Sequence, residues 1–309
     1  METARRRPLL LGRQAGCHRG VPPQGSDPQA DRHHRAGRRT PRGPVVVRPA
    51  VPEIIEVEAY RRAISATEGR TIASVHAPDE WFAKGGTTTD ALRSELTGAR
   101  IEEARRIGKL VIVDTDGPRL GLRFGMTGKI VVDGAMPIDH LLYDSPRHEP
   151  AWDRFGLEFE GAGAMVLRDP RRLGGVQLDP DESRLGPDAL SLTLGQLRTA
   201  LGRSTAALKA RLLDQQRLAG LGNLLADEAL WRARVSPVRE ARSLDASETA
   251  RLHRAIRTTL RVLDQRGGSH TGDLQPARVR GGCCPRDGAA LRREQVGGRT
   301  TYWCPGHQI

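Results

Sequence analysis

The last 27 residues of the chain carry three of its four cysteines together with an aspartate and a histidine. Pairing Cys284 with Asp287 and Cys304 with His307 gives C-x2-D and C-x2-H, separated by 16 residues. Two short pairs on facing turns are what a tetrahedral Zn2+ ion requires, and thiolate, imidazole and carboxylate are all accepted ligands. Asp287 is the weakest of the four, because structural zinc favours sulfur and nitrogen. Cys283 stands beside Cys284 as an alternative, and a site that has lost its metal leaves the same pattern. Cysteines crowded in this way exclude a disulfide framework. Between the pairs, GGRTTYW (297–303) reads as a hairpin that presents Arg299 at its tip.

A second chemical signal lies at residues 212–237, LLDQQRLAGLGNLLADEALWRARVSP. A helix, a turn Gly220-Leu221-Gly222-Asn223 and a second helix beginning near Leu224 place free backbone N–H groups at a glycine-opened helix start. That geometry suits a phosphate. Asn223 adds a side-chain donor, and Lys209 lies one helix upstream. An ordinary helical hairpin closed by glycines has the same pattern; the ribbon and the basic balance nearby favour phosphate.

These residues need a scaffold, and the sequence divides into parts that can supply one. The 309 residues include 38% hydrophobic but only 4% aromatic side chains, so cores must be built from Leu, Val, Ile and Ala. No apolar stretch approaches the roughly 18 residues of a membrane span. The net charge is +12, and only four of the 49 basic side chains are lysine: Lys84, Lys109, Lys129 and Lys209. Such an excess favours phosphate-rich partners. Residues 1–50 hold eleven arginines against three acids and no apolar period, so 1–51 reads as a disordered basic extension. It is not a secretory signal. A transit peptide, a nucleic-acid-binding arm and a start assigned too early all fit its composition.

From Pro52 the pattern changes. A helix beginning at Pro52-Glu53 is followed by short alternating runs (70–77, 100–107, 109–116, 119–124, 129–134, 157–161, 164–169, 174–179), with one helix at 87–96. Gly and Asp-Gly breaks between such runs predict an antiparallel sandwich over 52–184. Helical periodicity takes over at 185–268, through 192–201, 205–215, 223–235 and 247–265. Residues 269–309 read as a small metal ribbon. The expected fold class is α+β and multidomain.

AGLGNLLADEALWRA, DPRRLGG (169–175), FGMTGK (124–129) and RRIGKL (105–110), with LGPDALS and the terminal ribbon, resemble the formamidopyrimidine-DNA glycosylase and endonuclease VIII family over residues 52–309. The resemblance implies a β-sandwich, a helix–two-turn–helix domain and a zinc finger. It further implies a bifunctional glycosylase and abasic-site lyase that excises oxidised bases from double-stranded DNA in base-excision repair. By the same resemblance Pro52 is the nucleophile, Glu53 the general acid, Lys109 a phosphate contact that assists the chemistry, and Glu56 a further active-site carboxylate. Met126 fills the hole left by the flipped nucleotide, Arg171 and Arg172 contact the opposite strand, and Arg299 holds the phosphate and aids δ-elimination.

The family's mature chain begins at this proline, whereas here Pro52 is preceded by Val51. A free α-amine is partly unprotonated near neutral pH, but a proline inside a chain is a tertiary amide with no nucleophilic lone pair. Pro52 therefore works only as a mature N-terminus, which a start at the valine codon and removal of the initiator would create. A non-catalytic damaged-DNA-binding homologue is the alternative. Two further departures bear on the lesion. Leu173 replaces a phenylalanine wedge, and the segment 267–282 is short where 8-oxoguanine-selective members carry a long loop. Arg154 stands near the place of a family histidine. Oxidised pyrimidines or plain abasic sites are expected over 8-oxoguanine, with a monomer in a bacterial cytoplasm, associated with the nucleoid.

Overall fold

The computed structural model describes residues 52–138 and 149–309, so the basic extension lies outside the described residues. Helix α1 (Ile54–Ile64) opens the fold, and its first turn is closed by Glu56, whose Oε2 accepts the Glu53 N–H at 2.9 Å. There follow β1 (Ile72–His76), α2 (Thr89–Leu96), β2 (Ile101–Ile107), β3 (Leu110–Thr115), β4 (Leu120–Arg123), β5 (Lys129–Val132), β6 (Asp153–Phe159), β7 (Ala164–Arg168) and β8 (Gly175–Leu178). They make two four-stranded sheets, β1-β6-β7-β5 and β2-β3-β4-β8. Every strand pair in them is antiparallel. Val111, Val113, Leu120 and Leu122 of one sheet meet Phe155, Leu157, Met165 and Leu167 of the other in a shared core.

The helical part comprises α3 (Leu194–Leu201), α4 (Leu208–Leu213), α5 (Asn223–Ala233) and α6 (Ala246–Gln265). Helix α6 starts from an Asp245 cap reinforced by Glu248, and buries Leu252, Ile256, Leu260 and Leu263 at helical spacing. At the C-terminus β9 (Arg292–Val296) and β10 (Arg299–Trp303) pair as a two-stranded ribbon. Gly297 and Gly298 both have positive φ (57° and 71°), as a two-residue hairpin turn demands. The chain is thus multidomain α+β, as its pattern predicts.

Helix α1 belongs to both large cores. Ile54 and Ile55 pack with Leu221 and Leu225 in the helical core, while Val57, Tyr60 and Ile64 pack in the sandwich. Pro52 and Glu53 are therefore held, buried, where the two bodies meet. Two elements differ from expectation. Lys109, expected to begin a strand, sits instead in the two-residue turn between β2 and β3, because Gly108 takes a left-handed φ of 57° there. Helix α4 covers Leu208–Leu213 rather than 205–215.

Candidate active site and nucleic-acid interface

The glycine turn before α5 does bind an anion, and the anion is Glu53. Its carboxylate accepts the N–H groups of Gly222 (2.9 Å), Leu224 (2.8 Å) and Leu225 (3.2 Å), so the α5 N-terminus is capped across 169–172 positions of sequence. Glycine is required at 222 by close approach alone: a Cβ there would lie 2.3 Å from Glu53 Cδ. The expectation that this helix start holds a phosphate through its backbone N–H groups is corrected for Gly222, Leu224 and Leu225, whose donors are taken by Glu53.

Burial pushes the Glu53 carboxyl above its ordinary value; Lys109 and the backbone donors oppose this shift and Glu56 adds to it. Lys109 is affected in the opposite sense. Burial pulls its ammonium below the ordinary lysine value, Glu53 and Glu56 oppose, and Arg299 contributes in the same direction as burial. Pro52, Glu53, Glu56 and Lys109 are thus gathered at one centre with Arg299 within its field. The hairpin that carries Lys109 is seated on the glycine turn, where a Cβ on Gly108 would come within 2.7 Å of Ala219 Cβ. The ribbon tip rests on α4, where a Cβ on Gly297 would lie 2.9 Å from Ala210 Cβ. Glu56 Oε1 accepts the Ser269 N–H at 2.6 Å, which ties the strap after α6 to the same centre.

Met126 lies in the 124–128 turn between β4 and β5, half-buried. That turn is locked to the 169–174 loop by Asp169, which accepts from Thr127 Oγ1, Arg171 N (3.1 Å) and Gly174 N (2.7 Å). A Cβ on Gly125 would strike the Leu173 carbonyl carbon at 2.4 Å. The loop leaves Leu173 49% exposed beside Arg171 and Arg172, so an apolar edge and two cations share one rim. Arg172 has a positive φ of 55° and turns its guanidinium back to Asp79.

Lys209 is not at the surface. Its ammonium is fully buried, 2.7 Å from Asp227 Oδ1, and donates to Asn223 Oδ1 (2.7 Å) and Thr301 Oγ1 (2.8 Å). It cannot touch an external phosphate; desolvation penalises such a charge unless it is paired, and here it is. Because Lys209 takes the Asn223 oxygen, the carboxamide N–H2 is the group left to face outward. Sequence reasoning missed three residues. Asp227 binds Lys209, Arg278 (2.8 Å) and the Tyr302 N–H (3.3 Å), which docks the ribbon on α5. Asp169 organises the two loops, and its place two residues before Arg171 is an Asx-turn signal. Arg123 precedes Phe124 on the exposed end of β4, with no ion pair among the described residues.

In the ribbon, one ligand atom each from Cys284, Asp287, Cys304 and His307 lies within 4.8 Å of the others. His307 Nδ1 is 2.7 Å from Asp287 Oδ2, and Cys304 Sγ is 3.2 Å from the same oxygen. His307 Nε2 is buried without a partner. Burial pushes the Cys304 thiol up to about 12, with Asp287 and Cys284 adding to the rise, so three electron-rich groups crowd a space that a cation would neutralise. The four residues fit a metal ion. Asp287, not Cys283, completes the group among the described residues.

A β-sandwich, a helical part whose glycine turn is capped by Glu53, and a ribbon with a metal-type cluster define the class of this fold. The formamidopyrimidine-DNA glycosylase N-terminal domain matches residues 51–176, and the formamidopyrimidine-DNA glycosylase H2TH domain matches 185–273. The chain belongs to the formamidopyrimidine-DNA glycosylase family. It is 36% identical to the formamidopyrimidine-DNA glycosylase of Heliobacterium modesticaldum, covering 82% of this chain and 99% of that protein. Identity to the Thermus thermophilus enzyme of the same name is also 36%, over 82% of this chain and 97% of that one. Among solved structures, wild-type Lactococcus lactis Fpg bound to DNA containing N7-benzyl-Fapy-dG superposes with a TM-score of 0.69 at 29% identity, over 83% of this chain and 99% of that one.

Proposed function

We propose that the chain is a base-excision DNA repair enzyme that flips out and excises oxidised bases and then nicks the abasic strand through a Schiff base on Pro52. The single observation that carries this reading is the placement of Pro52-Glu53, with a pKa-raised Glu53 carboxyl and a pKa-lowered Lys109 beside it. A carboxyl whose proton affinity is raised by burial and a lysine whose proton affinity is lowered by it are suited to exchanging protons with a substrate held between them.

The target nucleotide leaves the stack, since C1′ is inaccessible within a duplex. The Pro52 amine bonds to C1′ as the glycosidic bond breaks, the bond's electron pair leaves with the base, and the base takes up the proton that the amine nitrogen gives up. Glu53 delivers its proton to the sugar ring oxygen, the ring opens and an iminium remains on Pro52. Loss of a C2′ proton then expels the 3′ phosphate, and the 5′ phosphate follows by δ-elimination. Lys109, Arg299 and the Asn223 N–H2 take the phosphates, Glu56 fixes the α1 start, Met126 with Leu173 fills the vacated stack, and Arg171 and Arg172 engage the opposite strand. Zn2+ held by Cys284, Asp287, Cys304 and His307 would clamp the ribbon that carries Arg299.

Residues 52–184, 185–268 and 269–309 form the three working parts, and the mature chain starts at Pro52. Relatives are spanned almost end to end by about four fifths of this chain, and the family match begins at residue 51. The short 267–282 segment supports oxidised pyrimidines or abasic sites over 8-oxoguanine as substrate. We further infer a monomer acting in a bacterial cytoplasm on nucleoid DNA; among the described residues no helix is long and apolar enough to cross a membrane.

The test compares the 309-residue chain with one beginning at Pro52, each mixed with abasic-site duplex and borohydride, which reduces an iminium to a stable cross-link. Cross-linking by the shorter form through Pro52 is expected. Binding by both forms with cross-linking by neither would make the protein a non-catalytic damaged-DNA-binding homologue, the reading favoured by the Val51–Pro52 peptide bond.

A further inference from the structure

Among the described residues, the carboxylate of Asp79 reaches the rim loop carrying Arg172 from a separate part of the sandwich. It precedes a single 3-10 turn, Glu80–Phe82, and caps it by accepting the Trp81 N–H on Oδ1 at 3.1 Å. The same Oδ1 takes the Arg172 guanidinium. Oδ2 is buried without a hydrogen-bond partner, and the nearest cation to it is Arg154, whose Nη1 is 3.7 Å away. The Asp79 side chain is only 8% exposed, against 45% for Arg172.

We propose that Asp79 is an internal competitor for DNA phosphate: it holds Arg172 in a neutral pair in the free protein and yields it to a phosphate of the bound duplex. The proposal rests on the DNA-repair reading above. Three features make the exchange cheap. The Arg172 backbone is pinned by the Asp169-centred loop, so only its exposed side chain has to swing. Asp79 keeps the Trp81 N–H when Arg172 leaves, so it is not stranded as a bare buried charge. Arg154, held through Nε to the Asp169 carbonyl at 3.0 Å, then needs only a small shift of its free end to satisfy Oδ2. The movement has room: a cavity of about 480 Å³ is lined by Asp79, Arg154 and Arg172 together with His76, Asp153 and Pro150.

A half-exposed pair of this kind is weak, whereas a phosphate contact also releases counterions. In the free protein the pair spares the rim an unpaired cation, which lowers its affinity for undamaged DNA. Asp79 is therefore a positioning residue whose removal strengthens binding, the opposite of what a structural or a contact residue does.

The experiment measures binding of the full chain to a duplex containing a tetrahydrofuran abasic analogue, by fluorescence anisotropy across a salt series. Five proteins are compared: the parent, Asp79→Asn, Asp79→Ser, Arg172→Ala and the Asp79→Asn/Arg172→Ala double variant. Asparagine keeps the cap acceptor, and Asp79→Ser serves as a second cap-retaining variant. Asp79→Asn is expected to bind about two- to fivefold tighter, the modest strength of a pair that is open to solvent on its Arg172 side. Arg172→Ala is expected to flatten the slope of log K against log salt by about 0.9, one phosphate contact. The tightening should vanish in the Arg172→Ala background. Equal or weaker binding by Asp79→Asn, or tightening that persists without Arg172, overturns the proposal while leaving the enzyme reading intact. A parent chain with no affinity for the duplex overturns both.

Discussion

Lys209 and Asp227 form a 2.7 Å ion pair in which neither side chain has any exposed surface. The pair lies where α4, α5 and β10 meet, and it fixes two groups assigned to phosphate. Lys209 orients the Asn223 carboxamide, and with Asp227 it docks the strand that begins at Arg299. Lysine at this position therefore acts through its neighbours.

Lys209→Met should cost about 3 kcal/mol, the range for removing one partner of a buried pair. Arg278 remains on Asp227 and limits the loss. Adding Asp227→Asn should deepen the loss, because the buried Arg278 then loses its carboxylate as well. Denaturant unfolding of the single and double variants measures both effects. An external phosphate ligand would behave differently: Lys209→Met would leave stability unchanged and flatten the salt dependence of DNA binding.

Glu53 predicts an exchange of stability for activity. Its carboxyl is raised above the ordinary 4.5, so ionising it costs more in the folded than in the unfolded chain. That penalty is absent below pH 4.5 and fully developed above the raised folded value. Glu53→Gln should abolish base excision, yet melt at or above the parent temperature at pH 8. The advantage should shrink as pH falls towards 4.5. Thermal melts at several pH values decide it; a variant less stable at pH 8 than at pH 4.5, each relative to parent, would contradict the sign.

The sandwich was legible because antiparallel strands alternate and turn on Gly and Asp-Gly, and the helices because α6 keeps both its apolar period and its Asp245 cap. The pairs Cys284–Asp287 and Cys304–His307 were legible because metal ligands must be local in sequence. What stayed hidden joins distant positions. Glu53 reaches Gly222 across 169 residues, and nothing in either segment encodes the other. Lys209 was assigned to phosphate because its partner Asp227 lies 18 positions away, in a different helix. The Arg172–Asp79 contact spans 93 residues and escaped for the same reason.

The ribbon should hold one zinc per chain, countable by atomic emission. Chelation should lower the melting temperature, and Cys304→Ser should abolish metal retention, because a ligand at the buried end of the group is lost. Asp287→Cys should bind zinc more tightly, since thiolate is the preferred donor. Cys283→Ser should leave the stoichiometry at one, which separates the two candidate ligands directly.

Gly222→Ala isolates the contact between the glycine turn and the catalytic carboxyl. Gly222 has φ −119°, an ordinary extended value, so alanine brings no backbone strain. The added methyl lies 2.3 Å from Glu53 Cδ, too close to be accommodated without moving the carboxylate off the Leu224 and Leu225 N–H groups. Overpacking of this type costs about 1–3 kcal/mol. The displaced Glu53 would no longer face the sugar ring oxygen, so cleavage of a base-containing duplex should fall by an order of magnitude or more, since a positioned acid contributes about 10²–10⁴. DNA affinity should change little, because Gly222 N–H is spent on Glu53 rather than on phosphate. A variant that loses binding and cleavage together would show that the turn contacts DNA after all, whereas loss of cleavage alone places the glycine where the structure has it, beneath the acid.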